Sequence, residues 1–440
     1  AEANMAAAGA GDGVLRSEAD AVVRWRRLMV ETIRRTVCAG LIASMAGCSS
    51  AVPPGAEVMT RDPGSAVEES GLVALTTVDA EKRFVLRRPA ERAAWNGRLL
   101  VAAHGGSGGP ALAADGTQMG TSETSLDDVI GAYAVEHGFA YASVDRDGVG
   151  GTREGLAIVV EFAAWARDRA GDLLGRDVEA LYLVGLSAGG AIARYAAEDP
   201  ALPFDGVVII AGGAGDTATG LDRLARRVAL WPAIDPRDHP AVGDDVPAVL
   251  AYAAEGAGTP VAARPLWPFI GSSASAAGLE RALAGYGVED LGAAELEGFR
   301  VEDQAERPGF IERLRRGDTS GQVLVPTIEV VGTYDDFVLP EILAYKRKVL
   351  ADAVAGNRHR LYQVRRAWHI SREDDALEGF RHRMSRMGIG AEAQTAAGEY
   401  GSYVRAVRDA LDLINRWVTD GVAAPDDRTV DDGAGIMSGE

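Results

Sequence analysis

Apolar and polar positions along this chain follow two rhythms that take turns. From Gly71 onward, short runs of consecutive apolar residues are separated by longer stretches in which apolar residues return every three or four positions. The runs suit strands buried on both faces and the longer stretches suit amphipathic helices. Their alternation predicts an α/β fold with a mostly parallel sheet. Strands are expected at 71–78, 83–88, 98–103, 140–145, 180–185, 206–212, 326–332 and 359–364. Helices are expected at 125–137, 153–170, 188–198 and 339–354, with a last one near 399–418. The first two strands lie close enough to form a hairpin; the remainder need crossovers.

The rhythm breaks from about 214 to 323, where Pro pairs (WPAIDPRDHP, ARPLWPFIG), short helical patterns and the aromatics Trp231, Tyr252, Trp267, Phe269 and Tyr286 appear. This span reads as a mainly helical cap inserted after the sixth strand of an eight-stranded sheet. Trp231, Trp267 and Phe269 are candidates for a substrate-pocket wall, although aromatics serve equally well in a cap's own small core. The core of the fold would then be 71–213 and 324–419. Residues 49–70 are rich in Pro, Gly, Ser and acid and read as a tether. The acidic, Gly-rich stretch 420–440 reads as a disordered tail.

Charge narrows the function. The 440 residues carry a formal net charge of −19, which disfavours a nucleic-acid binder, since such a protein needs a basic face to displace counterions. It also argues against adhesion to anionic lipid by charge alone. Cys38 and Cys48, the two cysteines, both fall in one N-terminal stretch, so the rest of the chain has no disulfide framework, zinc cluster or cysteine nucleophile. That stretch, 29–48, has a positive start at Arg34 and Arg35 and an apolar run from Thr36 to Gly47 too short to span a bilayer. It ends in Met45-Ala46-Gly47-Cys48 and reads as a signal peptide. Small residues directly before a cysteine resemble a bacterial lipobox, with Met where Leu is usual, which implies lipidation of Cys48 and an exported, membrane-anchored protein. Residues 1–28 precede a plausible start at Met29 and read as a tag or non-native extension.

The chemistry centres on Gly185-Leu186-Ser187-Ala188-Gly189, a G-x-S-x-G pattern. It stands between the buried run Ala180-Leu181-Tyr182-Leu183-Val184 and a helical pattern opening at Gly190. A strand entering a helix through so tight a turn strains the serine backbone and needs small neighbours on either side. The turn also aims a helix N-terminus at the hydroxyl, where its partial positive charge favours an oxyanion. A serine hydroxyl needs a base within reach. Of the six histidines, His369 lies just past the last predicted strand, on the edge where Ser187 would emerge. The base needs an acid to fix its tautomer. Asp335, in Gly332-Thr333-Tyr334-Asp335-Asp336-Phe337-Val338, is favoured over Asp336, with Asp216 a distant third. The order Ser…Asp…His is that of the α/β-hydrolases. His104-Gly105-Gly106-Ser107-Gly108-Gly109 follows the third strand and offers backbone N–H donors for an oxyanion. One donor is assigned to Gly106 or Ser107, the other to Ala188, with His104 orienting the loop. A phosphate-binding reading of this loop lacks its lysine and following helix.

From about Gly71 to Trp417 the chain therefore resembles an α/β-hydrolase. Asp145-Arg146-Asp147-Gly148-Val149-Gly150 adds a likeness to that superfamily's D-x-R-G-x-G loop after the fourth strand. HGGSGG and GLSAGG resemble hormone-sensitive-lipase-like esterases, which carry their cap at the N-terminus instead. Tannase and feruloyl esterase relatives have cysteines beside both serine and histidine, where this chain has Leu186 and Trp368. The resemblance implies a serine esterase acting on a small-molecule ester, with no metal or organic cofactor, no nucleic-acid partner and no membrane contact beyond the lipid anchor. A peptidase or amidase and an acyltransferase would share the machinery. A non-catalytic surface binding protein is the alternative of a different class.

Overall fold

The computed structural model describes residues 57–59, 66–105, 111–112, 118–119, 126, 130–146, 152–213, 215–234, 276–292, 295–296, 298–333, 335, 338–367, 369, 402–431 and 433–437. Residues 1–28, the stretch 29–48 expected to be a signal peptide with a lipobox at Cys48, and the loop positions Gly106 and Ser107 lie outside them. In chain order the strands are β1 (Glu57–Met59), β2 (Ala66–Leu75), β3 (Ala80–Pro89), β4 (Arg98–Ala103), the short pair β5 (Ala111–Leu112) and β6 (Gln118–Met119), β7 (Ala140–Val144), β8 (Ala180–Leu186), β9 (Gly206–Ile210), β10 (Thr327–Gly332), β11 (His359–Val364) and β12 (Arg428–Val430). The helices that position the site are α1 (Ala132–Glu136), α2 (Thr152–Leu174), α3 (Ala188–Glu198), α4 (Thr217–Ile234), α5 (Ala276–Ala284), α6 (Phe310–Gly317), α7 (Leu339–Leu350), α8 (Ala353–Arg358) and α9 (Val404–Asp420).

Among the described residues, ten strands make one sheet in the order β1-β2-β3-β7-β4-β8-β9-β10-β11-β12. Pairing is antiparallel from β1 to β7 and parallel from β7 to β12. The α/β class expected from the apolar runs is the class found. All eight expected strands are present, the first two as a longer hairpin.

The parallel strands alternate their side chains between two layers. Leu100, Ala102, Tyr182, Val184, Val208, Ile210, Ile328 and Val330 face one way and pack with α9. Leu99, Val101, Leu181, Leu183, Val207 and Ile209 face the other and pack with α2 and α3. Val404, Val407, Leu411 and Ile414 bury one stripe of α9 at helical spacing. Each such fully buried side chain contributes about 2 kcal/mol of apolar burial.

Three expectations need correction. The sheet has ten strands rather than eight, because both flanks of the expected core add one. The tether 49–70 contributes β1 and the start of β2, pairing Glu57 with Ser70 and Met59 with Glu68; Pro and Gly nearby signal a loop, yet the open edge of β2 still recruits a partner. The tail is not disordered throughout its length: β12 pairs in parallel with β11, and Val430 and Ile436 are buried in the α9 layer. Averaged composition hides two well-placed apolar residues.

The span after β9 is helical and carries its own apolar cluster, in which Leu221 of α4, Leu279 and Leu283 of α5, and Phe310 and Leu314 of α6 meet. Both of its connections to the sheet pass Lys348 of α7, whose Nζ lies 2.9 Å from Asp216 and 3.0 Å from Asp318. Residues 235–275, with Trp267 and Phe269, and the side chain of Trp231 lie outside the described residues. Among the described residues no helix is long and apolar enough to cross a membrane.

Candidate functional site

Ser187 alone makes the turn from β8 into α3, with φ 55° and ψ −114°. A side chain in that backbone region costs about 1–3 kcal/mol, so its surroundings must hold it. They do so through backbone: Ser187 N–H donates to the Ile210 carbonyl at 2.9 Å, and the Ser187 carbonyl accepts from Gly213 N–H at 3.1 Å and Ala191 N–H at 3.2 Å. The flanking glycines are there for space. A Cβ on Gly185 would stand 2.2 Å from the Gly189 carbonyl oxygen, and one on Gly189 would stand 1.9 Å from that of Ala103, at the end of β4.

Three side chains from distant parts of the chain meet here. His369 Nε2 is 2.8 Å from Ser187 Oγ, and His369 Nδ1 is 2.9 Å from Asp335 Oδ2. A carboxylate only accepts, so Nδ1 carries the proton and Nε2 is left bare to accept from the serine hydroxyl. Asp335 is fully buried just past β10, and its second oxygen accepts from Val338 N–H at 3.3 Å. His369 is nearly buried just past β11, where the Tyr403 hydroxyl donates to its carbonyl at 3.1 Å. The arrangement can draw the proton from Ser187 as its oxygen attacks an electrophile, with Asp335 stabilising the imidazolium.

Ala188 opens α3, and helix first-turn N–H groups lack intrahelical acceptors. The loop that begins at His104 approaches closely: a Cβ on Gly105 would be 3.1 Å from Ser187 Cβ. Arg146 Nη2 donates to the His104 carbonyl at 2.6 Å, and His104 Nδ1 lies 2.9 Å from the Gly105 carbonyl. Burial, reinforced by the Arg146 charge, lowers the His104 pKa to about 4. A neutral ring therefore donates from Nδ1 and braces the loop, as the sequence suggested.

A stability prediction follows from that ring. Between its folded pKa of about 4 and the ordinary histidine value of about 6.5, the unfolded chain takes up a proton that the folded chain refuses. The contribution of His104 is full above the ordinary value and is lost as pH falls toward the folded one, by up to about 3 kcal/mol. His104→Asn keeps a donor near Nδ1 and does not titrate. Urea midpoints at pH 7.5 and 4.5 should show the parent losing more stability than this variant; equal losses would refute the assignment.

Among the other candidates, Asp216 is engaged by Lys348 and by Thr219 N–H, and Asp336 lies outside the described residues. His137 bonds the Tyr133 carbonyl, while His359 is fully buried beside Glu329. Sequence reasoning passed over Arg194, Glu329 and Tyr403, and gave Arg146 no role beyond its loop motif. Charges inside apolar runs, Glu329 in Ile328-Glu329-Val330-Val331 and Arg194 in Ile192-Ala193-Arg194-Tyr195-Ala196, were the signal that each needs a buried partner.

In the eight-stranded core that begins at β2, the serine follows the fifth strand, the acid the seventh and the base the eighth, and all three stand at the carboxyl edge. The fold is that of the α/β-hydrolases. No protein-family profile matches the chain, and no curated protein matches it. Solved structures do. An esterase from Aspergillus oryzae matches at 14% identity, covering 84% of this chain and 86% of its own, with a TM-score of 0.48. Vibralactone cyclase matches at 14% identity over 82% and 83% with a TM-score of 0.44. A rice cell wall degrading esterase from Xanthomonas oryzae matches at 13% over 74% and 88% with a TM-score of 0.41.

Proposed function

We propose that the protein is a serine hydrolase that cleaves carboxylic esters through an acyl-enzyme. The hydrogen-bonded chain Ser187–His369–Asp335, at 2.8 and 2.9 Å, carries this reading. His369 Nε2 takes the hydroxyl proton as Ser187 Oγ bonds to the ester carbonyl carbon. The carbonyl oxygen becomes an oxyanion, held by the Ala188 N–H and by a second N–H, from Gly106 or Ser107. The tetrahedral centre collapses, the C–O bond to the alcohol breaks, and His369 gives its proton to the leaving alkoxide. Water, activated by the same imidazole, then attacks the acyl-enzyme and releases the acid. Asp335 keeps Nδ1 protonated throughout. Export with a lipid anchor at Cys48 belongs to the same proposal and is supported by the 29–48 stretch of the sequence.

A panel tests the ester assignment: p-nitrophenyl esters of graded acyl length, peptide p-nitroanilides, and esters offered with acceptor alcohols in water. Hydrolysis of short esters at a rate well above that of the anilides is expected. Faster anilide cleavage would replace the reading with an amidase, and preferential transfer to alcohols would replace it with an acyltransferase.

A further inference from the structure

The strongest unexplained feature lies under the nucleophile. Arg194 is on α3, two turns beyond Ser187, with a fully buried guanidinium. A charge held out of water costs several kcal/mol unless it is paired and hydrogen-bonded. Here its planar fork divides its bonds. Nη2 pairs with Glu329 Oε1 of β10 and also donates to the Gly212 carbonyl at 3.3 Å. Nη1 donates to the Gly213 carbonyl at 2.5 Å. The guanidinium carbon sits 4.6 Å over the Tyr345 ring of α7.

Glu329 is itself fully buried and shared. Its Oε2 faces His359 Nε2 at 3.3 Å, and Lys346 Nζ lies 3.2 Å from His359 Nδ1, so a neutral ring accepts from Lys346 and donates to Glu329. Burial alone would raise the Glu329 pKa, but Arg194 and His359 outweigh it and hold the carboxyl below its ordinary value.

The carbonyls that Arg194 holds belong to the segment that holds Ser187. Ile210 accepts from the Ser187 N–H, and Gly213 donates to the Ser187 carbonyl. Between them, Ala211 is in the left-handed region at φ 46°, a conformation that neighbours must enforce. We infer that Arg194 is a positioning residue for the nucleophile: its fork pins Gly212 and Gly213, and they hold the strained Ser187 backbone at its attack geometry. The inference deepens the serine-hydrolase reading and rests on it. Arg194 is fully buried and bonds to the Gly212 and Gly213 carbonyls and to Glu329, so it acts through that backbone.

The test separates positioning from mere stability. R194M/E329Q removes both buried charges at once, so neither is left buried without its partner, and deletes the fork; its urea midpoint, read beside the parent's, shows that the variant is folded under the assay conditions. Hydrolysis of p-nitrophenyl acetate should show kcat lowered by about tenfold to a hundredfold, the scale of a misplacement near 1 Å, with KM nearly unchanged. Labelling of Ser187 by a fluorophosphonate should slow in parallel. R194K keeps the charge but not the fork and should not restore kcat; it carries the same test should the double variant fail to fold. A labelled parent with a folded variant of full kcat, or a loss confined to KM, overturns the inference alone. An unlabelled parent overturns the hydrolase reading and the inference with it.

Discussion

Ser187→Ala is expected to fold as the parent does and to lose ester turnover by roughly four to six orders of magnitude, the scale seen when a triad nucleophile is removed. Alanine keeps the Cβ that already occupies the turn at φ 55°, so the backbone strain is unchanged. What is lost is one hydrogen bond to His369, worth about 1 kcal/mol. The urea midpoint should barely move, while kcat collapses and fluorophosphonate labelling disappears. His369→Ala is a poorer probe of chemistry. It would take the Nδ1–H donor from the fully buried Asp335 carboxylate, at a cost of about 1.5–3 kcal/mol, and so confounds activity with folding. Undiminished turnover by well-folded S187A would end the catalytic account.

Gly189→Ala should have the largest effect on stability. The added Cβ would lie 1.9 Å from the Ala103 carbonyl oxygen and 2.5 Å from that of His104. These are backbone atoms at the end of a central strand, so no side-chain rotation relieves the overlap. Either α3 lifts from β4 or the strand end shifts, and the loop that begins at His104 moves with it. Overpacking of this kind costs about 3 kcal/mol or more, and kcat should fall as well because the oxyanion donors are displaced. Gly356→Ala is the contrast. Its Cβ would meet nothing closer than 3.7 Å in α8, and alanine is favoured over glycine in a helix by about 1 kcal/mol. Chemical denaturation of the two variants should therefore move the midpoint in opposite directions. A neutral Gly189→Ala would mean that β4 and α3 are not packed so closely.

Much of the fold was legible because periodicity is local. Consecutive apolar residues at 180–184 and 206–210 can only be satisfied by burial on both faces, and that alone implies helices above and below a parallel sheet. The meeting of Ser187, Asp335 and His369 was legible for a related reason: each follows a strand that the pattern predicts, so a shared carboxyl edge brings them together. Glycines flanking Ser187 were read correctly as a need for space: Gly185 is crowded by its near neighbour Gly189, whereas the atoms that crowd Gly189, from Ala103 and His104, come from the end of β4, far back in the chain.

What the sequence determined by itself was the order of strands and helices, the net charge of −19, and the placing of Ser187, Asp335 and His369 just past the ends of strands. The tertiary structure decided the rest. It paired β1 and β12 onto edges that composition had marked as tether and tail, matched Arg194 to Glu329 across 135 positions, and turned His369 toward both of its partners. Local pattern follows from neighbours along the backbone, whereas the environment of a buried charge or an open strand edge depends on which distant segment arrives beside it, and only the folded chain supplies that.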